Sequence, residues 1–162
     1  MARRITFYAL FTAAALIFSY IESLFSLNFI APGVKLGLAN CAAMLLLIKG
    51  DIKGAFLVNI ARILLSTILF SVPTTLIFSL SGATASLFCM WLLLKTRCFG
   101  YCGICAAGGA VHNAAQITVA IFFTGTPGLI YYLPILLICG TACGVLTGII
   151  SFYLNKYIKT AF

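Results

Sequence analysis

A chain of 162 residues that is 64% hydrophobic, only 7% charged and has a mean hydropathy of +1.20 lies far from soluble domains, in which roughly a quarter of residues carry charge. At about 20 apolar residues per helical crossing, some six crossings use nearly the whole sequence and leave almost none of it for a soluble catalytic or nucleic-acid-binding domain. The net charge of +8 is then a question of topology before it is a question of partners.

The first segment covers residues 5–21, an uncharged run preceded by Arg3 and Arg4. Its design overlaps that of a secretory signal, but further spans follow at once and a retained span is expected. Residues 23–34, with Asn28, Pro32 and Gly33, are too broken for a regular crossing and read as an outer loop or re-entrant stretch. The second segment, residues 35–48, has only 13 residues between Lys35 and Lys49. That is about 20 Å of helix against a hydrocarbon core of about 30 Å, so either Lys35 sits below the outer surface or this helix is short. The third and fourth segments are residues 54–72 and 74–94, broken at Pro73. The 58 residues from Cys98 to Asn155 contain no Asp, Glu, Lys or Arg, enough for two crossings but not three. With the turn at residues 124–128, the fifth and sixth segments are residues 100–123 and 129–154.

Six spans bring both termini to one side. Arg3, Arg4, Lys49, Lys53, Lys95, Arg97, Lys156 and Lys159 all fall on that side, while the opposite loops carry Glu22, with Lys35 at a helix border. By the positive-inside rule both termini are cytoplasmic. The expected fold is a single all-α integral membrane domain over residues 1–162 in the cell membrane.

Polar side chains inside spans are functional candidates because each is costly in hydrocarbon. Arg62 lies about 12 Å from the cytoplasmic end of the third segment, where an arginine costs at least about 2.5 kcal/mol. Asn59 and Ser66 extend its face at i−3 and i+4. The fifth segment adds His112, Asn113 and Gln116, with His112 and Gln116 one turn apart. Lys35, Asn40 and Glu22 complete a set running from mid-membrane outward. An outward pocket lined by segments one, two, three and five would satisfy them. A strut in which Arg62 pairs with Glu22, with amides joining helices, is the alternative. Lys35 plus Arg62 against Glu22 leaves an excess of positive charge, which points to an anionic ligand such as a carboxylate or phosphate.

Gly140, Gly144 and Gly148 repeat every fourth residue on segment six and predict close helix packing. The seven cysteines behave as small apolar residues when buried. Cys98, Cys102 and Cys105 have the spacing of an iron–sulfur site, but the large barrel domain that such radical enzymes need does not fit in this chain. His112 without nearby carboxylates is a poor metal site, and no resident cofactor is expected.

Three stretches carry a resemblance: Glu22-Ser-Leu-Phe leading into Pro32-Gly-Val-Lys-Leu-Gly-Leu-Ala-Asn40, then Ser79-Leu-Ser-Gly82, then Ala110-Val-His-Asn113 with Gln116. Together they resemble the small membrane family called Gx transporters, also named heptaprenyl diphosphate synthase component I. That family looks related to the six-helix substrate-binding S components of energy-coupling factor transporters. The relation implies import of a vitamin or similar small molecule with a coupling membrane protein and two cytoplasmic ATPases. It also implies that Ala9 and Ala13 contact the coupling protein. The other name implies an accessory role in prenyl diphosphate or quinone synthesis. The usual prenyl elongation chemistry needs two Asp-rich motifs, whereas this chain has one aspartate, Asp51, and no nucleotide-binding loop, so it is not expected to be an enzyme.

Overall fold

A computed structural model describes residues 2–24, 40–70 and 73–161, without the side chains at positions 2, 3, 22 and 158–161. The helices are α1 (Ala2–Leu24), α2 (Asn40–Ile48), α3 (Ile52–Phe70), α4 (Thr75–Thr96), α5 (Tyr101–Thr124) and α6 (Leu133–Ala161), with a 3₁₀ turn at Pro127–Tyr132 before the last. Five stretches, α1, α3, α4, α5 and the run from the 3₁₀ turn through α6, are long and apolar enough to cross a bilayer. The nine described residues of α2 are not. Residues 35–39, including Lys35, lie outside the described residues.

Burial is sorted as lipid solvent demands. Ile68, Leu10, Ile138 and Phe122 stand on the outside, while Asn59, Arg62, Ser66, Ser86, His112, Asn113 and Ser151 are buried. In a water-soluble bundle the outside would be mostly polar. Here hydrocarbon replaces water, and the polar groups turn inward to find one another. The protein is a membrane protein built as a helical bundle.

The described part of α2 is the axis of this bundle. Eight of its nine residues, Asn40 to Leu47, are buried, the pattern of a helix surrounded on all sides. It packs on α3, α6, α4 and α1, with Met44 and Leu46 fully enclosed. Its end is set by Gly50, whose φ of +78° few other residues adopt. The Gly50 N–H donates to the Leu47 carbonyl and the Asp51 N–H to the Leu46 carbonyl, which is the two-bond helix stop that a left-handed glycine permits.

Asp51 then starts α3 at once. Its Oδ1 accepts the Gly54 N–H at 2.8 Å, an N-cap bond to the third helical residue, and its Oδ2 accepts the Tyr8 hydroxyl of α1. The Tyr8 hydroxyl first, and the Gly54 N–H second, hold the Asp51 carboxyl below the ordinary carboxylate range. A depressed value in the folded chain means that the tie is present above the ordinary Asp pKa and is lost as pH falls through the lower folded value. Asp51→Ala should therefore lower stability by about 1 kcal/mol, the size of a lost cap. Thermal melts in detergent should show a constant gap to the wild type above about pH 5, closing below about pH 4. A gap independent of pH would mean that the carboxylate is not what holds α1 to α3.

The α5/α6 pairing is the most extensive in the molecule, and the glycine repeat on α6 explains it. A Cβ on Gly140 would come 2.6 Å from the Gly109 carbonyl oxygen, and one on Gly148 would come 2.6 Å from the Cys102 Cα. The two backbones touch, as the spacing predicts. Both ends of the last helix differ by several residues from the apolarity reading. The last helix begins at Leu133 rather than at residue 129, because Pro127 opens a 3₁₀ turn and Pro134 suits only a first helical turn. It also continues through Asn155 and Lys156, since charge marks where lipid ends and not where a helix must stop.

Candidate functional site

The candidate site is a buried polar layer that starts at Arg62, ten residues into α3 and about 15 Å along its axis. Arg62 is only 4% exposed. Its Nη2 donates to Asn59 Oδ1 at 2.7 Å and its Nη1 to Ser19 Oγ of α1 at 3.2 Å. Asn59, one turn back on the same face, passes the connection on by donating through Nδ2 to the Ala83 carbonyl of α4 at 3.5 Å. These bonds link three helices around one buried cation.

Gly82, next to Ala83, is what lets α5 join them. A Cβ at Gly82 would lie 2.7 Å from Gln116 Cγ and 3.1 Å from His112 Cε1, so both side chains occupy the space that the glycine leaves. Ser79, one turn earlier on α4, and Thr67 on α3 are buried as well. Among the described residues, both amide atoms of Gln116, Ser79 Oγ and Thr67 Oγ1 have no hydrogen-bond partner. Native interiors satisfy nearly all such atoms, and leaving one unmet costs about 1–3 kcal/mol. Several such atoms, on α3, α4 and α5, leave unused hydrogen-bonding capacity in the interior that also holds Arg62.

The remaining expected residues divide. Asn40 borders the layer, with its Nδ2 3.4 Å from the Ser86 hydroxyl of α4. Asn113 points to the other side of α5, donating through Nδ2 to the Leu136 carbonyl of α6 at 2.7 Å, and there it joins helices. Lys35 lies outside the described residues, as does the side chain of Glu22, so the Arg62–Glu22 strut is not among the described pairs. Ala9 and Ala13 are both exposed on α1, one turn apart, away from the layer. Cys98 is exposed, Cys102 half-buried and Cys105 buried, and among the described residues no three His, Cys, Asp or Glu side chains converge as a metal site would require. Ser19 and Thr67 were not singled out by sequence, because a lone hydroxyl in a span usually bonds back to its own helix and carries no signal.

Residues 11–154 match the family described as heptaprenyl diphosphate synthase component I. The chain belongs to this family. No curated protein and no solved structure matches it. Every residue of the polar layer, from Ser19 to Gln116, falls inside the stretch that matches heptaprenyl diphosphate synthase component I, whereas Ala9 lies before it. The single aspartate of this family member, Asp51, is bound to Tyr8 and Gly54 at the end of the bundle, about 15 Å along α3 from Arg62.

Proposed function

We propose that this chain is a noncatalytic membrane subunit that receives a small anionic metabolite between α3, α4 and α5 and works within a larger complex. The observation that carries this reading is the set of buried polar atoms on Gln116, Ser79 and Thr67 that have no partner among the described residues, in the same bundle interior as the buried Arg62. A ligand with a carboxylate or phosphate and further polar groups would meet the arginine and occupy the unused donors and acceptors.

In its finer form the proposal is an S component of an energy-coupling-factor-type importer, with residues 35–48 completing six spans and both termini cytoplasmic. The one-sided distribution of basic residues supports that orientation. The exposed pair Ala9 and Ala13 supports a helix contact with a coupling membrane protein, and two cytoplasmic ATPases would supply the energy. Uptake of a vitamin-like micronutrient is the corresponding activity. The family description favours a second reading, a membrane accessory of polyprenyl diphosphate or quinone synthesis. With one aspartate in the whole chain, catalysis of prenyl elongation would belong to another subunit.

One experiment tests both readings. The tagged chain and its Gln116→Leu variant are taken from native membranes in mild detergent, and every retained protein and small molecule is identified by mass spectrometry. A coupling protein with two ATPases supports import, and a prenyl synthase subunit without ATPases supports the accessory role. Gln116→Leu should lose at least tenfold of the retained metabolite while melting no lower than the empty wild type, because it removes two unmet buried polar atoms. A variant that melts lower and retains the metabolite would make Gln116 a packing residue and defeat the binding-site reading.

A further inference from the structure

A second place in the molecule has the features of a binding site and lies well apart from the polar layer. At the end of the bundle where α1 and α3 begin, a cleft of about 590 Å³ opens between the first turns of α1 and the turn joining α2 to α3. Arg4 and Lys49 supply two cations to its wall, Phe7 and Leu46 an apolar side, and Tyr8 and Asp51 a hydrogen-bonded pair. Gly50 keeps the turn bare, with nothing within 4 Å of where a Cβ would stand.

The charges do not balance within the cleft. Both oxygens of Asp51 are engaged, one by the Tyr8 hydroxyl and the other by the Gly54 N–H. Arg4 acts on that carboxylate only as the last of several influences. Lys49 Nζ rests 5.3 Å from the centre of the Phe7 ring, within cation–π range and beside the apolar wall. The chain's other acid, Glu22, is 18 residues farther along α1 than Arg4, about 27 Å away. Two cations therefore face one carboxylate that is already satisfied, at the level where a bilayer carries its headgroups. An arginine fork and a lysine point charge together are a common cradle for phosphate, and basic pockets between helices at the membrane surface take anionic headgroups.

We propose that this cleft binds a phosphate group between Arg4 and Lys49. The phosphate belongs either to an anionic lipid headgroup, whose glycerol and upper acyl chain would lie along Phe7 and Leu46, or to a soluble phosphate compound. The site does not depend on the function assigned to the polar layer.

Native mass spectrometry of the full chain in detergent distinguishes the sources, with phosphatidylglycerol, phosphatidylcholine of the same acyl chains, and inorganic pyrophosphate as probes. The expected result is about tenfold preferential retention of one phosphatidylglycerol over phosphatidylcholine. This preference should fall to near parity in Arg4→Gln/Lys49→Gln and persist in Lys95→Gln/Arg97→Gln, which removes two cations beyond the cleft. Retention of pyrophosphate that depends on Arg4 and Lys49, with no preference between the lipids, assigns the cradle to a soluble phosphate. Equal retention of all three probes, or equal losses in the two double variants, overturns the proposal. Because loss of basic residues can disturb insertion, the wild type is also labelled with a phosphatidylglycerol carrying a photoreactive headgroup. Adducts should map to residues 4–8 and 46–51, and adducts confined to other segments overturn the proposal without any variant.

Discussion

Arg62→Met should reduce retention of the metabolite that copurifies with the wild type by a factor of about 100 or more, while the bundle stays inserted and folded. A hundredfold loss corresponds to about 2.7 kcal/mol, within the range for deleting a buried charge that meets a charged partner. Stability should move little. Methionine fills similar length with adaptable apolar atoms, and on the binding-site reading the countercharge belongs to the ligand, so the variant strands no buried charge of the protein, the case that costs about 3–5 kcal/mol. The local losses include the donors to Asn59 Oδ1 and Ser19 Oγ. Arg62→Lys separates charge from geometry. It keeps the cation but not the planar fork, so partial recovery of binding is expected. The strut reading makes the opposite forecast: Arg62→Met would retain the metabolite at wild-type level and melt several degrees lower. Quantifying the retained metabolite alongside a thermal melt for each variant decides between the two.

The main lines of this bundle are legible in sequence because hydrocarbon is an unforgiving solvent. A polar residue in an apolar run must turn inward, so Arg62, His112 and Gln116 could be placed in the interior from their positions alone, and each is buried. Glycines four apart in a span have few uses besides close packing, and Gly140, Gly144 and Gly148 meet α5 as that logic requires. What sequence does not give is long-range partnership. Tyr8 and Asp51 are 43 residues apart, and nothing local in either position announces the other. Hydroxyls are equally silent. Ser66 and Thr118 bond to their own helices, Ser19 receives Arg62 and Ser79 has no partner among the described residues, yet all four look alike in a string of letters. The inward turn of α2 is intermediate. The limit of 13 residues between Lys35 and Lys49 is readable, but the enclosure of the described residues of α2 on all sides follows only once the other helices are packed.

Gly109→Leu should be the most damaging single change in the chain, because it strikes where two backbones meet. A Cβ at Gly109 would overlap the Gly140 carbonyl and stand 3.4 Å from the Gly144 Cα. The obstacle is helix backbone, which cannot rotate aside as a flexible side chain would. Overpacking a core costs about 1–3 kcal/mol when neighbours can give, and here α5 and α6 must separate along their length. Separation also removes the Asn113 bond to Leu136 and, by moving α5, disturbs the close fit of His112 and Gln116 at Gly82. The expected outcome is a loss of about 3 kcal/mol or more, seen as failure to recover a folded monomer in mild detergent, with metabolite retention lost at the same time. Gly144→Leu should do the same, since its Cβ would run into the Cys105 carbonyl. The double variant should cost far less than the sum, because one separation relieves both clashes. Gly103→Ala is the matched control. Its Cβ would meet only Phe99 at 3.8 Å, an ordinary contact, and alanine in a helix interior is favoured over glycine by up to about 1 kcal/mol. A Gly109→Leu protein that melts and binds like the Gly103→Ala protein would show that α5 and α6 are not joined through their glycines, and the position of the polar layer, which depends on that packing, would have to be drawn again.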